Sequence, residues 1–265
     1  MSAAPAAPLR LSVTMLDTYV HGMADEAMSS AQLAYELFAR KKPNQAMRVG
    51  TSFHRLLEKG LPESEYWQPQ LLANPDRQGF YFILPDDLTG TIELGDVREQ
   101  RYEWPIFDDV VLVGKIDAET ASKVIDHKLT ARFDPERYMD SLQWRAYLAM
   151  RNKARFSYQV FEHSGLPSEP DALGHYPVLI KAYHCLEQYR YVGMMDEVKD
   201  VVHDLARFAR TWQREIQQAN GSTPDHHQSQ NADFQSHQPQ NFQFQDHSYQ
   251  QYPHADHQQN RGQAA

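Results

Sequence analysis

The sequence predicts an α/β domain: a small mixed sheet with helices on both sides. Three observations carry that expectation. Val110 to Lys115 and Ser122 to His127 are apolar, β-branched runs of the kind that form buried strands. Asp196 to Gln217 places Val198, Val201, Val202, Leu205, Phe208 and Trp212 on one side of a long helix. Between and before these lie further helical and strand-like segments rather than a run of one kind.

In chain order, residues 1–10 read as a flexible leader. Ser12 to Ala39 reads as helical segments with a break near Gly22, because Met15, Leu16, Tyr19 and Val20 sit at helical spacing. Asn44 to Leu57 holds a second helix, with a start at Gly50-Thr51-Ser52. Residues 60–100 mix Pro, Gly and Asp with short apolar runs such as Phe80 to Leu84, and read as loops with small strands. Ala118 to Ala121 is short enough for a hairpin connection between the two apolar strands. Asp134-Pro135 offers an N-cap and a first-turn proline for a helix running to about Arg151. Phe156 to Phe161 alternates like a strand, and Pro177 to Tyr191 supplies one or two more. The expected core is therefore residues 11–217. Residues 218–265 are rich in Gln, His, Asn, Ser and Asp with spaced aromatics, and are expected to be disordered, since they cannot bury enough apolar surface to offset the entropy of ordering.

At 265 residues the chain can bury a core without a disulfide or structural metal. Cys185 is its only cysteine, which excludes an internal disulfide and a thiolate-held iron–sulfur cluster. No apolar run approaches membrane-spanning length, and Met1 to Pro8 lacks the plan of a secretory signal, so a cytoplasmic place and no membrane partner are expected. The formal net charge of -9 argues against a nucleic-acid partner, but the charge is uneven. From Lys123 to Arg155 the cations Lys123, Lys128, Arg132, Arg137, Arg145, Arg151, Lys153 and Arg155 outnumber Asp126, Asp134, Glu136 and Asp140. Arg40, Lys41, Lys42, Arg48 and Arg55 form a second basic group. Both suit a surface that tracks phosphates.

The candidate chemistry lies in Val113-Gly114-Lys115-Ile116-Asp117 and Val124-Ile125-Asp126-His127-Lys128. Asp117 ends one apolar strand. Asp126 and Lys128 are two apart on the next, so both face one way while His127 faces the other. Two acids and an amine converging on one point can hold a divalent metal beside a phosphodiester and steer a water at it. Gln143 and Tyr147 are four apart on a helical face, with Trp144 and Leu148 off it for the core. Upstream, His54 and Glu58 share a face of the second helix. Singly, each feature has a plainer explanation: a strand Asp-x-Lys is usually a solvated edge, and a lone helical His a packing residue.

The ordered set of an early-helix His, Gly-x-x-Asp, apolar-apolar-Asp-x-Lys and Gln-x-x-x-Tyr resembles the PD-(D/E)xK nuclease superfamily. Within its RecB-like branch it is most similar to the phage and prophage exonuclease VIII (RecE-type) nucleases, from about Leu11 to about Gln217. The resemblance implies a restriction-endonuclease-like core with the site where strands open. It implies Mg²⁺, replaceable by Mn²⁺, on His54, Asp117, Asp126 and the His127 carbonyl. Lys128 would prepare the water, and Gln143 and Tyr147 would support it. It further implies 5′-to-3′ digestion of linear duplex DNA in phage-type recombination or repair, as a homo-oligomer working with a single-strand annealing protein. An endonuclease of the same fold stays open as an alternative, as does a non-catalytic DNA- or partner-binding module.

Overall fold

The computed structural model describes residues 7–39, 42–58, 79–85 and 92–221, with side chains as far as residue 215. Seven strands form one mixed sheet. β1 is Leu9–Ser12, β2 Phe80–Ile83, β3 Val97–Phe107, β4 Val110–Glu119, β5 Lys123–Thr130, β6 Arg155–His163 and β7 Tyr176–Tyr189. The helices are α1 Thr14–Ala24, α2 Ser30–Phe38, α3 Gln45–Glu58, α4 Pro135–Asp140, α5 Leu142–Arg151 and α6 Met194–Gly221. The strand order is β1-β4-β5-β6-β7-β2, with β3 also on β4. The β1–β4, β5–β6 and β7–β2 pairs are parallel; β3–β4, β4–β5 and β6–β7 are antiparallel.

Helices cover both faces, as expected. Alternation along β6 sends Phe156, Tyr158 and Val160 into one core, shared with α1, α2, α5 and α6. It sends Phe161 into a second core with Val178, Ile180 and the α3 residues Val49, Phe53 and Leu57. The apolar side of α6 is buried at Val198, Val202 and Leu205, while Trp212 is only half-buried.

Several boundaries differ from the sequence expectation. Leu9 and Arg10, assigned to the leader, begin β1 and pair with Val110 and Val111. The expected break at Gly22 falls later, after Ala24. Gly22 serves close packing instead: a Cβ there would meet Leu33 Cδ1 at 2.5 Å, so glycine lets α1 and α2 touch. Asn44 starts α3, its side chain accepting from Met47 N at 2.9 Å, and Gly50 lies inside the helix. The helix expected from Asp134 to Arg151 is two helices, broken at Ser141, whose backbone is extended (ψ 134°). α6 continues past Gln217 to Gly221. The expected disordered tail beyond it lies outside the described residues, as do Arg40 and Lys41. Among the described residues no helix is long and apolar enough to cross a membrane.

Candidate metal and catalytic site

The site begins as a gap in the sheet. β3 runs along one edge of β4 from Val110 to Glu119. The other edge is shared: β1 takes Val110–Val113, and β5 takes only Ala118 and Glu119. Between them Gly114 to Asp117 faces a cleft that α5 fills. Tyr147 donates its hydroxyl to the Lys115 carbonyl at 2.8 Å, satisfying a strand acceptor that a neighbouring strand would otherwise meet. Its ring packs against Gly114, where a Cβ would come within 2.6 Å of Tyr147 Cε1. The Gly of Gly-x-x-Asp and the Tyr of Gln-x-x-x-Tyr are thus two halves of one contact.

Three donor groups meet at the mouth of this gap. His54, Glu99 and Asp117 each offer a ligand atom, all within 4.8 Å of one another. His54 Nδ1 is 3.4 Å from Asp117 and 3.7 Å from Glu99. The strand register explains the pairing of acids: Arg98 faces Ala118 and Gln100 faces Ile116, which sets Glu99 opposite Asp117. Glu99 has φ +52°, in the left-handed region that a glutamate rarely adopts, so the ladder is locally distorted where the carboxylate enters. Like charges directly opposite on neighbouring strands repel. Cations offset this here: His54 lies between the acids, and the Lys115 ammonium pairs with Glu99. Burial works against the charged His54, yet the two carboxylates push its pKa up to about 10. Glu99 and Asp117 are correspondingly lowered, their burial outweighed chiefly by His54. A partly buried imidazole and two carboxylates that need positive charge between them form a donor set that suits Mg²⁺ or Mn²⁺.

Asp126 and Lys128 stand beside this cluster on β5. The Asp126 side chain is 2% exposed, and Lys128 Nζ lies 2.7 Å from its Oδ2. That oxygen makes no other hydrogen bond, so Lys128 is its one partner among the described residues. Burial, with help from Asp117, pushes the Asp126 carboxyl up to about 6 despite Lys128. Burial disfavours the Lys128 charge, but Asp126 and Asp117 outweigh it, and the amine is held above its ordinary value. Gln143 donates to Asp126 Oδ1 at 3.1 Å and to the Tyr147 hydroxyl at 3.4 Å.

The bend at Ser141 aims α5 at the gap. Asp17 of α1 accepts from Ser141 Oγ and from Leu142 N, each at 2.6 Å. Ser141 Oγ in turn accepts from Gln143 N at 3.1 Å and from Tyr158 at 3.2 Å. This capping starts α5 one residue before Gln143 and turns Gln143 and Tyr147 inward together.

The structure thus brings together His54, Asp117, Asp126, Lys128, Gln143 and Tyr147. His127 contributes its backbone: its N–H donates to Asp117 Oδ2 at 2.8 Å, tying β4 to β5. Its imidazole faces away, buried, with Nε2 3.1 Å from the Glu93 carbonyl, and burial lowers its pKa. Glu58 is exposed and outside the donor cluster. Trp144 and Leu148 are buried in the core as expected. Glu99, Asp17 and Ser141 were not singled out from the sequence. Glu99 sits in the charged run Arg98 to Arg101, with nothing local to separate it from a solvated edge.

Part of the basic stretch is engaged within the fold. Lys123 is buried with Glu93 and Glu187, and Arg151 forks onto Glu119 at 2.9 Å. Lys153 donates to the carbonyls of Thr120 and Ala121, and Arg145 to that of Asp140. Arg132, Arg137 and Arg155 remain exposed, as do Lys42, Arg48 and Arg55 of the second basic group.

No protein-family model and no curated protein matches the chain. Among solved structures it is similar to an alkaline exonuclease from Laribacter hongkongensis, with 13% identity, a TM-score of 0.44, and 81% of this chain and 95% of that one covered. It is also similar to a phage-related exonuclease from Haemophilus somnus, with 12% identity, a TM-score of 0.45 and coverage of 79% and 97%. Likeness at these levels adds no weight to what the side chains themselves can do.

Proposed function

We propose that the chain is a metal-dependent deoxyribonuclease of the PD-(D/E)xK kind, an exonuclease that works from duplex ends. The observation that carries this is the meeting of His54, Glu99 and Asp117 within 4.8 Å, beside the buried Asp126–Lys128 pair. Those three, with Asp126 and the His127 carbonyl, would hold Mg²⁺ or Mn²⁺. The bound ion would supply a Lewis acid and a water of lowered pKa. Lys128 would orient the attacking water or help to deprotonate it, and stabilise negative charge growing on the phosphoryl oxygens. Gln143 fixes Asp126 and offers an amide to water or phosphate. Tyr147 fixes the strand that carries Asp117.

The finer assignments rest on analogy with the family that the motif order resembles: RecE-type specificity, 5′-to-3′ polarity, a role in phage-type recombination or repair, oligomeric action and a single-strand annealing partner; a cytoplasmic place rests on the single cysteine and the lack of a secretory-signal plan. The test is release of acid-soluble nucleotides from matched linear and covalently closed circular duplex DNA. It is run with Mg²⁺, Mn²⁺ or EDTA, comparing wild type with Lys128→Ala; 5′- and 3′-end labels read the polarity. Digestion of linear DNA alone, abolished by EDTA and by the substitution, is expected. Cutting of the circle would make the protein an endonuclease. Well-folded protein that hydrolyses neither substrate would refute the enzymatic assignment.

A further inference from the structure

Glu99 and Asp117 are one half of a block of four charged side chains. β3 and β4 pair antiparallel, and residues directly opposite each other there present their side chains to the same face. Arg101 stands directly opposite Lys115, one row along from the two acids. Each strand advances two residues between the rows, about 6.6 Å, and the alternation of the strand returns all four side chains to one face.

The row of cations is poorly explained by stability. Like charges directly opposite on paired strands repel. Among the described residues β3 pairs with β4 alone, and charges on an edge strand guard it against stray pairing, but that role does not call for two of one sign face to face. Nor do nearby acids balance them. Lys115 pairs with Glu99, Arg101 Nε lies 3.6 Å from Glu103 Oε1, and Arg10 of β1 pairs with that same oxygen. Three cations thus share two carboxylates, and Glu99 is also in the donor cluster. An ion bound there would claim the charge of Glu99 and leave Glu103 alone against three cations. The Lys115 and Arg101 side chains are 61% and 60% exposed, while Glu99 is only 10% exposed, so the cations stand open to solvent beside a nearly covered acid. An ammonium has three donors, so the pair with Glu99 leaves Lys115 others to give, and the guanidinium fork of Arg101 matches a phosphate.

We infer that Lys115 and Arg101 form a seat for the backbone phosphate next to the scissile one. The inference rests on the nuclease assignment. An ion held by the acid row fixes the scissile phosphate, and the distance to the cation row is comparable with the spacing of successive phosphates along one nucleic-acid strand. The seat grips the backbone, so it sets the register in which the strand passes the site and carries no base preference.

The test walks a single neutral methylphosphonate along one strand of a linear DNA duplex, bound with Mn²⁺ to full-length Lys128→Ala protein so that nothing is cut. Affinity should fall at two adjacent positions, the scissile phosphate and its neighbour. Adding Lys115→Gln and Arg101→Gln should abolish the second loss and spare the first. The same pair should make the slope of log affinity against log salt shallower by about 0.9, the value for one duplex phosphate contact. Lys115→Arg with Arg101→Lys, which keep both charges, should retain the second loss and the slope. A loss at one position only would overturn the seat whether or not the glutamine variants fold. So would a second loss that persists in the glutamine pair, or an unaltered salt slope. If wild type hydrolyses DNA with metal while the second loss is absent, the seat falls and the nuclease stands. If the second loss traces to Lys115 and Arg101 but wild type hydrolyses nothing, the seat stands as a binding feature and the reaction falls.

Discussion

Replacing Gly114 with alanine should destabilise the protein through one contact. The added Cβ would lie 2.6 Å from Tyr147 Cε1 and 3.2 Å from Val13 Cγ2. The first distance is well inside van der Waals contact. Tyr147 cannot give way cheaply, because it is 2% exposed and its hydroxyl is anchored 2.8 Å from the Lys115 carbonyl. Overpacking of this kind costs about 1–3 kcal/mol. For a folded domain of this size that is a fall in Tm of roughly 2–12 °C. Urea unfolding of the metal-free protein measures it, in a double-mutant cycle with Tyr147→Leu, which lacks the clashing atom. Tyr147→Leu alone should cost about 2–4 kcal/mol, from lost packing and an unmet carbonyl. The double variant should be at least 1 kcal/mol more stable than the sum of the two, because the clash vanishes with the ring. Additive effects, or an unaltered midpoint for Gly114→Ala, would refute the claim that this glycine is the seat of the tyrosine.

Other outcomes follow from the same geometry. Glu99→Gln should weaken Mn²⁺ binding by about tenfold or more, read by calorimetry, and should also lower the metal-free urea midpoint at neutral pH, since it breaks the ion pairs with His54 and Lys115 that hold the Glu99 pKa down. His54 has its folded pKa raised to about 10, so its ion-pair stabilisation is present in full below its ordinary value near 6.5 and is lost as pH rises through about 10. For the same reason the proton must leave when His54 takes a metal: binding near pH 7.5 should release protons, seen by titration in buffers of different ionisation heat, and His54→Ala should abolish that release. Asp17→Ala removes two 2.6 Å acceptor contacts at Ser141 and Leu142, and should cost about 2 kcal/mol in urea unfolding while lowering hydrolysis through misplaced Gln143. Glu119 is held below its ordinary pKa, first by Arg151, so its contribution is present above pH 4.5 and lost as pH falls through the folded value; Glu119→Gln should flatten that acid limb of the stability curve.

How much of this site a sequence can show depends on the range of the contact. Asp126 and Lys128 are legible because strand alternation alone puts two residues on one face, and Gln143 and Tyr147 because a helical turn does the same. The two strands that carry the acids are legible as apolar β-branched runs, since burial on both faces leaves little room for polar residues. Glu99 is hidden because its position depends on register: only after β3 pairs with β4 does it stand opposite Asp117, and its left-handed backbone has no local signature. The division of Pro135 to Arg151 into two helices is hidden for a related reason. Locally the segment has a good start and helical spacing, and Ser141 is ordinary within it. What breaks it is Asp17, 124 residues earlier, which captures the serine hydroxyl and the next amide and makes a new helix start there more stable than an unbroken turn. The pattern predicts the continuous helix, whereas the site needs the broken one, since the restart at Ser141 directs Gln143 to Asp126 and Tyr147 onto Gly114. Local spacing supplies the pair on each element, and a distant carboxylate fixes the angle at which those pairs meet.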